Sequence, residues 1–178
     1  MNIRFTKTPD NCFYAPTAIV VGDVSAGQGS SFWFGAVVRG DVAPVRIGQR
    51  VNVQDNAVVH CDTGVVNDIG DDVTIGHGAI VHGASIGRGS LIGMGASVLG
   101  QTRIGQDCLI AAGAVVSPGF DVPDGMVVMG VPGKVVRPVR DKELAYMRWL
   151  TVHYVELAEK YAAGGFAAHP LPLATAVI

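Results

Sequence analysis

Ile69-Gly70-Asp71-Asp72-Val73-Thr74-Ile75-Gly76-His77-Gly78-Ala79-Ile80-Val81-His82 repeats itself every six residues: a branched aliphatic residue at Ile69, Ile75 and Val81, with glycine after the first two. The beat continues through Ile86, Ile92, Val98, Ile104, Ile110, Val116, Val122 and Val128, and only the step from Val81 to Ile86 is a residue short. Glycine follows again at Gly87, Gly93 and Gly105. Four places after the aliphatic residue stands a small one: Ala79, Ser85, Ser90, Ala96, Thr102, Cys108, Ala114. A fixed six-residue period is the signature of a parallel β-helix, and the i, i+3, i+4, i+7 spacing of an amphipathic helix is absent. Each hexapeptide gives one short strand and one corner. The aliphatic residue points inward, the glycine permits the turn and the small residue fits the tight inner angle. Three such faces close a triangular coil of about 18 residues, and coils stack at the strand spacing of roughly 4.8 Å.

Outward from this stretch the repeat weakens. Val21-Gly22, Ala26-Gly27, Phe32 and Val38 keep the spacing loosely after a lead-in strand over residues 1–16. Arg39 to Val45 breaks the count, and Ile47, Val53 and Val59 resume it. From Val59 to Ile69 the gap is ten residues, so residues 61–68 read as a loop. Trp33 and Phe34, beside Phe32, are too bulky for a triangular interior, so at least one is expected outside, as a subunit contact. The repeat ends at Val131-Pro132-Gly133-Lys134, with Pro138 closing the exit. Leu144, Met147, Leu150 (or Thr151) and Val155 then follow helical spacing, with Asp141 as N-cap and Gly164-Gly165 as the stop. The expected architecture is an all-β solenoid over residues 1–140, one C-terminal α-helix over 141–165 packed on it, and a tail over 166–178.

The 178 residues suit one domain. A net charge of −2 without a basic patch argues against nucleic acid. The opening Met1-Asn2-Ile3-Arg4-Phe5-Thr6-Lys7 has no apolar signal region, and no apolar run of about 18 residues occurs, which gives the expectation of a cytoplasmic protein without a membrane segment. Three cysteines, Cys12, Cys61 and Cys108, supply no disulfide framework. Cys108 reads as packing, and Cys61 as no metal ligand because the histidines already suffice.

Three of the five histidines fall between His60 and His82. His60 follows the inward Val59 and His82 the inward Val81, one full coil apart, so both take the same outward position on adjacent coils. Their imidazoles can reach one ion at about 2.0–2.1 Å. His77, two places past Ile75, lies around a corner and faces away. A trimer resolves the conflict, because a neighbouring subunit can present its His77 to the His60 and His82 of this chain. Three neutral imidazoles and an open position are the ligand set of a catalytic zinc; Fe(II) and Co(II) accept the same ligands. His153 and His169 read as surface residues.

The run Val38-Arg39-Gly40-Asp41, then Asn52-Val53-Gln54-Asp55-Asn56, His60, Gly76-His77 and Val81-His82-Gly83 closely resembles the γ-class carbonic anhydrase family over about residues 10–160. The resemblance implies a left-handed β-helix, an exception to the usual right-handed crossover, and a homotrimer with interfacial zinc or iron. It implies His60, His77 and His82 as metal ligands and Gln54 as hydrogen-bonding the hydroxide held there. It further implies Arg39 and Asp55 as an intersubunit ion pair beside the metal, Asp41 as a neighbouring carboxylate, and Tyr154 as a tyrosine leaning in from the helix. Without the histidines, Arg39 and Asp41 read as turn residues, Gln54-Asp55 as a polar edge and Tyr154 as packing. Val42 follows Asp41, and residues 61–68 offer only Asp62 and Asp68, without the glutamates that shuttle protons in the family's prototype. The leading expectation is therefore a zinc-dependent lyase interconverting CO2 and bicarbonate. The alternatives are a metal-dependent acyl-CoA thioesterase, a hexapeptide acyltransferase, or a non-catalytic metal-binding trimer.

Overall fold

Short parallel strands stack in three columns in the computed structural model, which describes residues 2–167. On the first face Ser31–Phe32, Asn52–Val53, Thr74–Ile75, Leu91–Ile92 and Leu109–Ile110 pair in register. The second face carries Val58–Val59, Ile80–Val81, Ser97–Val98 and Val115–Val116. The third carries Asn67–Ile69, Ser85–Ile86, Arg103–Ile104 and Asp121–Val122. Ile92 pairs with Ile110, 18 positions on, as the hexapeptide count predicts, whereas Val53 pairs with Ile75, 22 positions on, because loop 61–66 intervenes.

The interior is a ladder of the aliphatic residues themselves. Val53, Ile75, Ile92 and Ile110 are fully buried on the first face, and Val59, Val81, Val98 and Val116 on the second. Stacking like on like fills the coil at crystal-like density, so a truncation leaves a void that rigid neighbours cannot close. Ile92→Ala is expected to lower the unfolding free energy by about 2–5 kcal/mol. Denaturant titration checks it, and a loss under about 1 kcal/mol would contradict a tightly packed ladder.

The small residues occupy the inner corners, with one departure. Ala79, Ser90, Ala96, Thr102, Cys108 and Ala114 are buried, but Ser85 is half-exposed in an outward column opposite Arg103. The short step from Val81 to Ile86 removes the corner position that Ser85 would have filled, and Gly83 is buried in that corner instead.

Around residues 39–45 the chain does not form a loose insertion. It runs as one strand, Val37–Ile47, across the corner from the second face to the third, paired with Ile19–Ala26. At the far end Met126–Met129 pairs antiparallel with Lys134–Pro138, which covers the edge that a stacked solenoid leaves open. At the near end Thr6–Lys7 pairs antiparallel with Phe13–Tyr14.

Helix α1, Asp141–Ala162, lies back along the first face. Its N-cap is Arg140 rather than Asp141. Glu143 accepts from the Arg140 backbone N–H at 2.9 Å and pairs with Arg137 at 2.8 Å, so the first turn is held by a carboxylate three residues on. Gly164 takes a left-handed φ of 82° just past the C-cap, as the Gly164-Gly165 stop predicts. The buried stripe is Met147, Thr151 and Ala158. Thr151 replaces Leu150 because its hydroxyl bonds the Met147 and Asp72 carbonyls, which joins helix to solenoid.

Trp33 corrects the expected subunit contact. It does point out of the coil, but it is buried with Phe5, Phe13 and Ala158 beneath α1, its ring edge-on to Tyr154 and Tyr161. The bulky residues outside the solenoid are the socket for the helix of their own chain. Phe166–Ala167 pairs with Asn2–Ile3, and the rest of the tail, with His169, lies outside the described residues.

Candidate metal centre

His60 and His82 emerge side by side. The strand bonds hold them there: the His60 N–H donates to the Val81 carbonyl at 3.0 Å and the His82 N–H to the Val98 carbonyl at 2.8 Å. Their ring centroids are 5.1 Å apart at an interplanar angle of 56°. Two imidazoles sharing one tetrahedral ion, each with a metal–nitrogen bond of about 2.0–2.1 Å, need roughly that separation. The pair therefore fits half of a zinc-type site. Among the described residues no group of three or more His, Cys, Asp or Glu side chains converges on a common point within the single chain.

Each ring faces a carboxylate. Asp41 Oδ1 lies 2.9 Å from His60 Nε2, and Asp62 Oδ1 lies 3.0 Å from His82 Nε2. The other oxygen of Asp41 accepts from Arg39. The hydrogen bond from His60, and next that from Arg39, hold the Asp41 carboxyl down at about 2, well below the usual carboxylate range. Both acids sit at one corner of adjacent coils, where the chain carries extra residues. Gly22 and Gly40 let the backbone fit there: a Cβ on Gly22, at a φ of +86°, would come within 2.4 Å of the Gly40 carbonyl oxygen. Cys61 turns inward, its thiol donating to the Ala43 carbonyl at 3.2 Å, and burial raises its pKa. It offers nothing to the imidazoles.

His77 stands at the next corner, apart from the other two. Its Nδ1 is 2.8 Å from Asp55 Oδ2 and its Nε2 is 3.4 Å from the Tyr154 hydroxyl. Its backbone N–H donates to Gln54 Oε1 at 3.2 Å, while Gln54 Nε2 donates to Asn52 Oδ1 and Asn52 Nδ2 to Thr74 Oγ1, each at 2.9 Å. Gln54, Asn52 and Thr74 are all buried, so a polar chain crosses two coils and ends on the His77 backbone. Within one chain Gln54 holds His77. Arg39 and Asp55, expected as a pair, lie against Asp41 and His77 respectively. Burial, and then the Asp55 charge, push the Tyr154 phenol up to about 12, so it stays protonated as a donor. Asn52 stands in the run that carries the family resemblance without a role assigned to it, and Thr74 was not singled out from the sequence. The signal was available in the two-residue spacing of Asn52, on the strand Asn52–Val53, and Gln54, just past it, and in the register that puts Thr74 beside Asn52. His153 is half-covered, stacked on Trp149 at 4.8 Å.

A cleft of about 310 Å3 opens from His77 and Gln54 along α1, walled by Leu91, Met94, Leu109, Tyr146, Leu150 and Tyr154. The second face has a different character. Its outward column reads Ile19, Val37, Val58, Ile80, Ser97, Val115 from coil to coil, with Ile19 55% and Ile80 44% exposed. The third face reads Arg46, Asp68, Ser85, Arg103, Asp121 in the same direction. One face is covered by the helix, one is polar, and the face bearing His60 and His82 is apolar and carries no helix among the described residues.

Residues 83–118 match the bacterial transferase hexapeptide (six repeats) family. The chain is 37% identical over 172 residues to the mitochondrial gamma carbonic anhydrase 2 of Arabidopsis thaliana, covering 92% of this chain and 62% of that one. It thus spans less than two-thirds of that relative's length. It is 44% identical over 149 residues to a probable carbonic anhydrase of Methanocaldococcus jannaschii, covering 84% and 94%. Among solved structures, a hexapeptide transferase family protein from Anaplasma phagocytophilum superposes with a TM-score of 0.81 at 34% identity, over 85% of this chain and 89% of that one.

Proposed function

Because the chain belongs to the γ-class carbonic anhydrase-like family of hexapeptide-repeat proteins, we propose that it is a homotrimeric, metal-dependent enzyme interconverting CO2 and bicarbonate. The observation that carries this reading is the His60–His82 pair on adjacent coils, 5.1 Å between ring centroids, with His77 held by Asp55 at a different corner. His60 and His82 of one subunit would hold the ion with His77 of the next. A divalent ion bound there, zinc, Fe(II) or Co(II), would bring water to ionise near neutral pH, which is the chemistry CO2 hydration needs.

The side chains around it divide the remaining work. Asp41 and Asp62 orient the two imidazoles and are the nearest proton acceptors at Nε2. Gln54 fixes the His77 backbone from a buried position. Tyr154 presents a protonated hydroxyl toward His77 Nε2. Arg39 keeps a positive charge beside Asp41, on the rim where an anionic product would leave. The apolar second face supports assembly through the same surface that carries the histidines.

Metal content by mass spectrometry on anaerobically purified protein, paired with stopped-flow CO2 hydration, tests this. One ion per chain and hydration abolished by a chelator are expected; a metal-free protein would sink the reading. A second reading, hydrolysis of an acyl-CoA thioester at the same metal, is favoured by the apolar cleft beside His77, far larger than CO2 requires. Stoichiometric metal with thioester hydrolysis and no CO2 hydration would select it, and metal without turnover would leave a binding protein.

A further inference from the structure

Asn67 is a polar residue in an apolar place. It opens the strand Asn67–Ile69 and is fully buried, in register with the equally buried Val45 on the preceding coil. An aliphatic side chain suits that position, as Val45 demonstrates, so the amide there needs a reason. Its Nδ2 donates to the His60 carbonyl at 2.7 Å and approaches the Val81 carbonyl, next to His82, at 3.4 Å. Turning the amide over would set its oxygen against two carbonyl oxygens, so this orientation is forced. The consequence is that Oδ1 is buried with no hydrogen-bond partner among the described residues. A buried acceptor left unsatisfied is destabilising, and what the amide gains in return is a tie between the two coils at the point where each carries its histidine.

Loop 61–66 interrupts the regular stacking directly after His60, and Asn67 is where the chain returns. Seven residues, 60–66, separate the strand Val58–Val59 from Asn67–Ile69, against four, 99–102, at the same corner of a later coil. We infer that Asn67 is a positioning residue of the metal centre: its Nδ2 clamps the His60 and Val81 carbonyls and so fixes the separation of the His60 and His82 imidazoles. It touches neither ring, and it acts as outer-shell hydrogen bonds act on metal ligands, by fixing where the ligating atoms stand. This inference rests on the metal reading of the two histidines.

Asn67→Leu keeps the branched four-atom shape while removing the donor and the orphaned oxygen, and its slightly larger methyl groups are expected to be taken up by the neighbouring side chains. Thr102→Val is the control. Thr102 is equally buried, two places before Ile104 as Asn67 is two before Ile69, and its hydroxyl bonds the Ser117 carbonyl at 3.0 Å, away from any histidine. Co(II) is titrated into the full-length assembled protein by visible absorption, with Zn(II) competition as a second measure, and the metal-free proteins are melted in parallel. Asn67→Leu is expected to weaken Co(II) binding about 10-fold or more and to alter the ligand-field bands, with a metal-free melting shift no larger than that of Thr102→Val. The control keeps its affinity. Wild-type affinity and spectrum in Asn67→Leu would overturn the inference, as would an equal loss in Thr102→Val. If the leucine variant does not accumulate, Asn67→Ala carries the same expectation. A wild-type protein that binds no Co(II) overturns the metal reading and this inference with it, whereas metal bound equally by both proteins overturns this inference alone.

Discussion

Mixing subunits that carry His60→Ala with subunits that carry His77→Ala is expected to restore about a quarter of the wild-type metal sites, from parents that have almost none, because a cyclic trimer brings a different chain to each side of every interface. Each parent lacks one ligand at all of its interfaces. In a mixed trimer, one interface joins an intact His60–His82 pair to an intact His77. Random exchange at equal amounts makes about three-quarters of the trimers mixed, and each of these has one whole site of three. Metal content and hydration rate should recover in step, and native mass spectrometry reports whether mixed trimers formed. Mixed trimers that bind no metal would refute a shared site, and metal retained by either parent would show that its missing histidine is no ligand. The structure motivates the experiment through His77, which sits with Asp55 and Tyr154 at a corner from which it does not meet the other two rings.

The solenoid was legible because its cause is local and repeated. A six-residue beat of Ile and Val dictates inward positions without knowledge of any distant contact, and those residues line the interior. The beat also told which residues follow an inward position, so the juxtaposition of His60 and His82 could be read before any coordinates. What the sequence concealed depends on contacts between elements far apart in the chain. Trp33 reads as exposed because nothing near it in sequence covers it; Ala158 and Tyr161, more than a hundred residues later, do. Thr151 wins the buried place over Leu150 through a carbonyl on a different coil.

At the site the split is similar. The histidines announce themselves by type and spacing, but the roles of Gln54 and Asn67 follow from which carbonyl or N–H lies within reach of an amide, and composition carries no trace of that. Asp62 stood out only as a carboxylate in a loop short of glutamates; its place against His82 Nε2 comes from the path of that loop.

Ile19→Glu combined with Val37→Glu is expected to leave each coil folded, convert the proposed trimer to monomer and abolish tight metal binding. Ile19 and Val37 are outward residues on the second face, in register with Val58 and Ile80, and neither adjoins a histidine in the chain. Their neighbours Val20 and Val38 supply the interior, so far-ultraviolet circular dichroism should not change. Two carboxylates on an apolar surface cost little while it faces water, but an interface that buries them must desolvate unpaired charge. The monomer would keep the His60–His82 pair, and two imidazoles without a third ligand make a weak site. Arg103→Glu on the polar third face is the control, expected to remain trimeric and metal-bound. Light scattering and metal titration on the same samples separate the outcomes. A trimer with full metal would move the interface to another face. A monomer with full metal would show that one chain completes the site alone, and the division of labour between His77 and the His60–His82 pair would then be wrong.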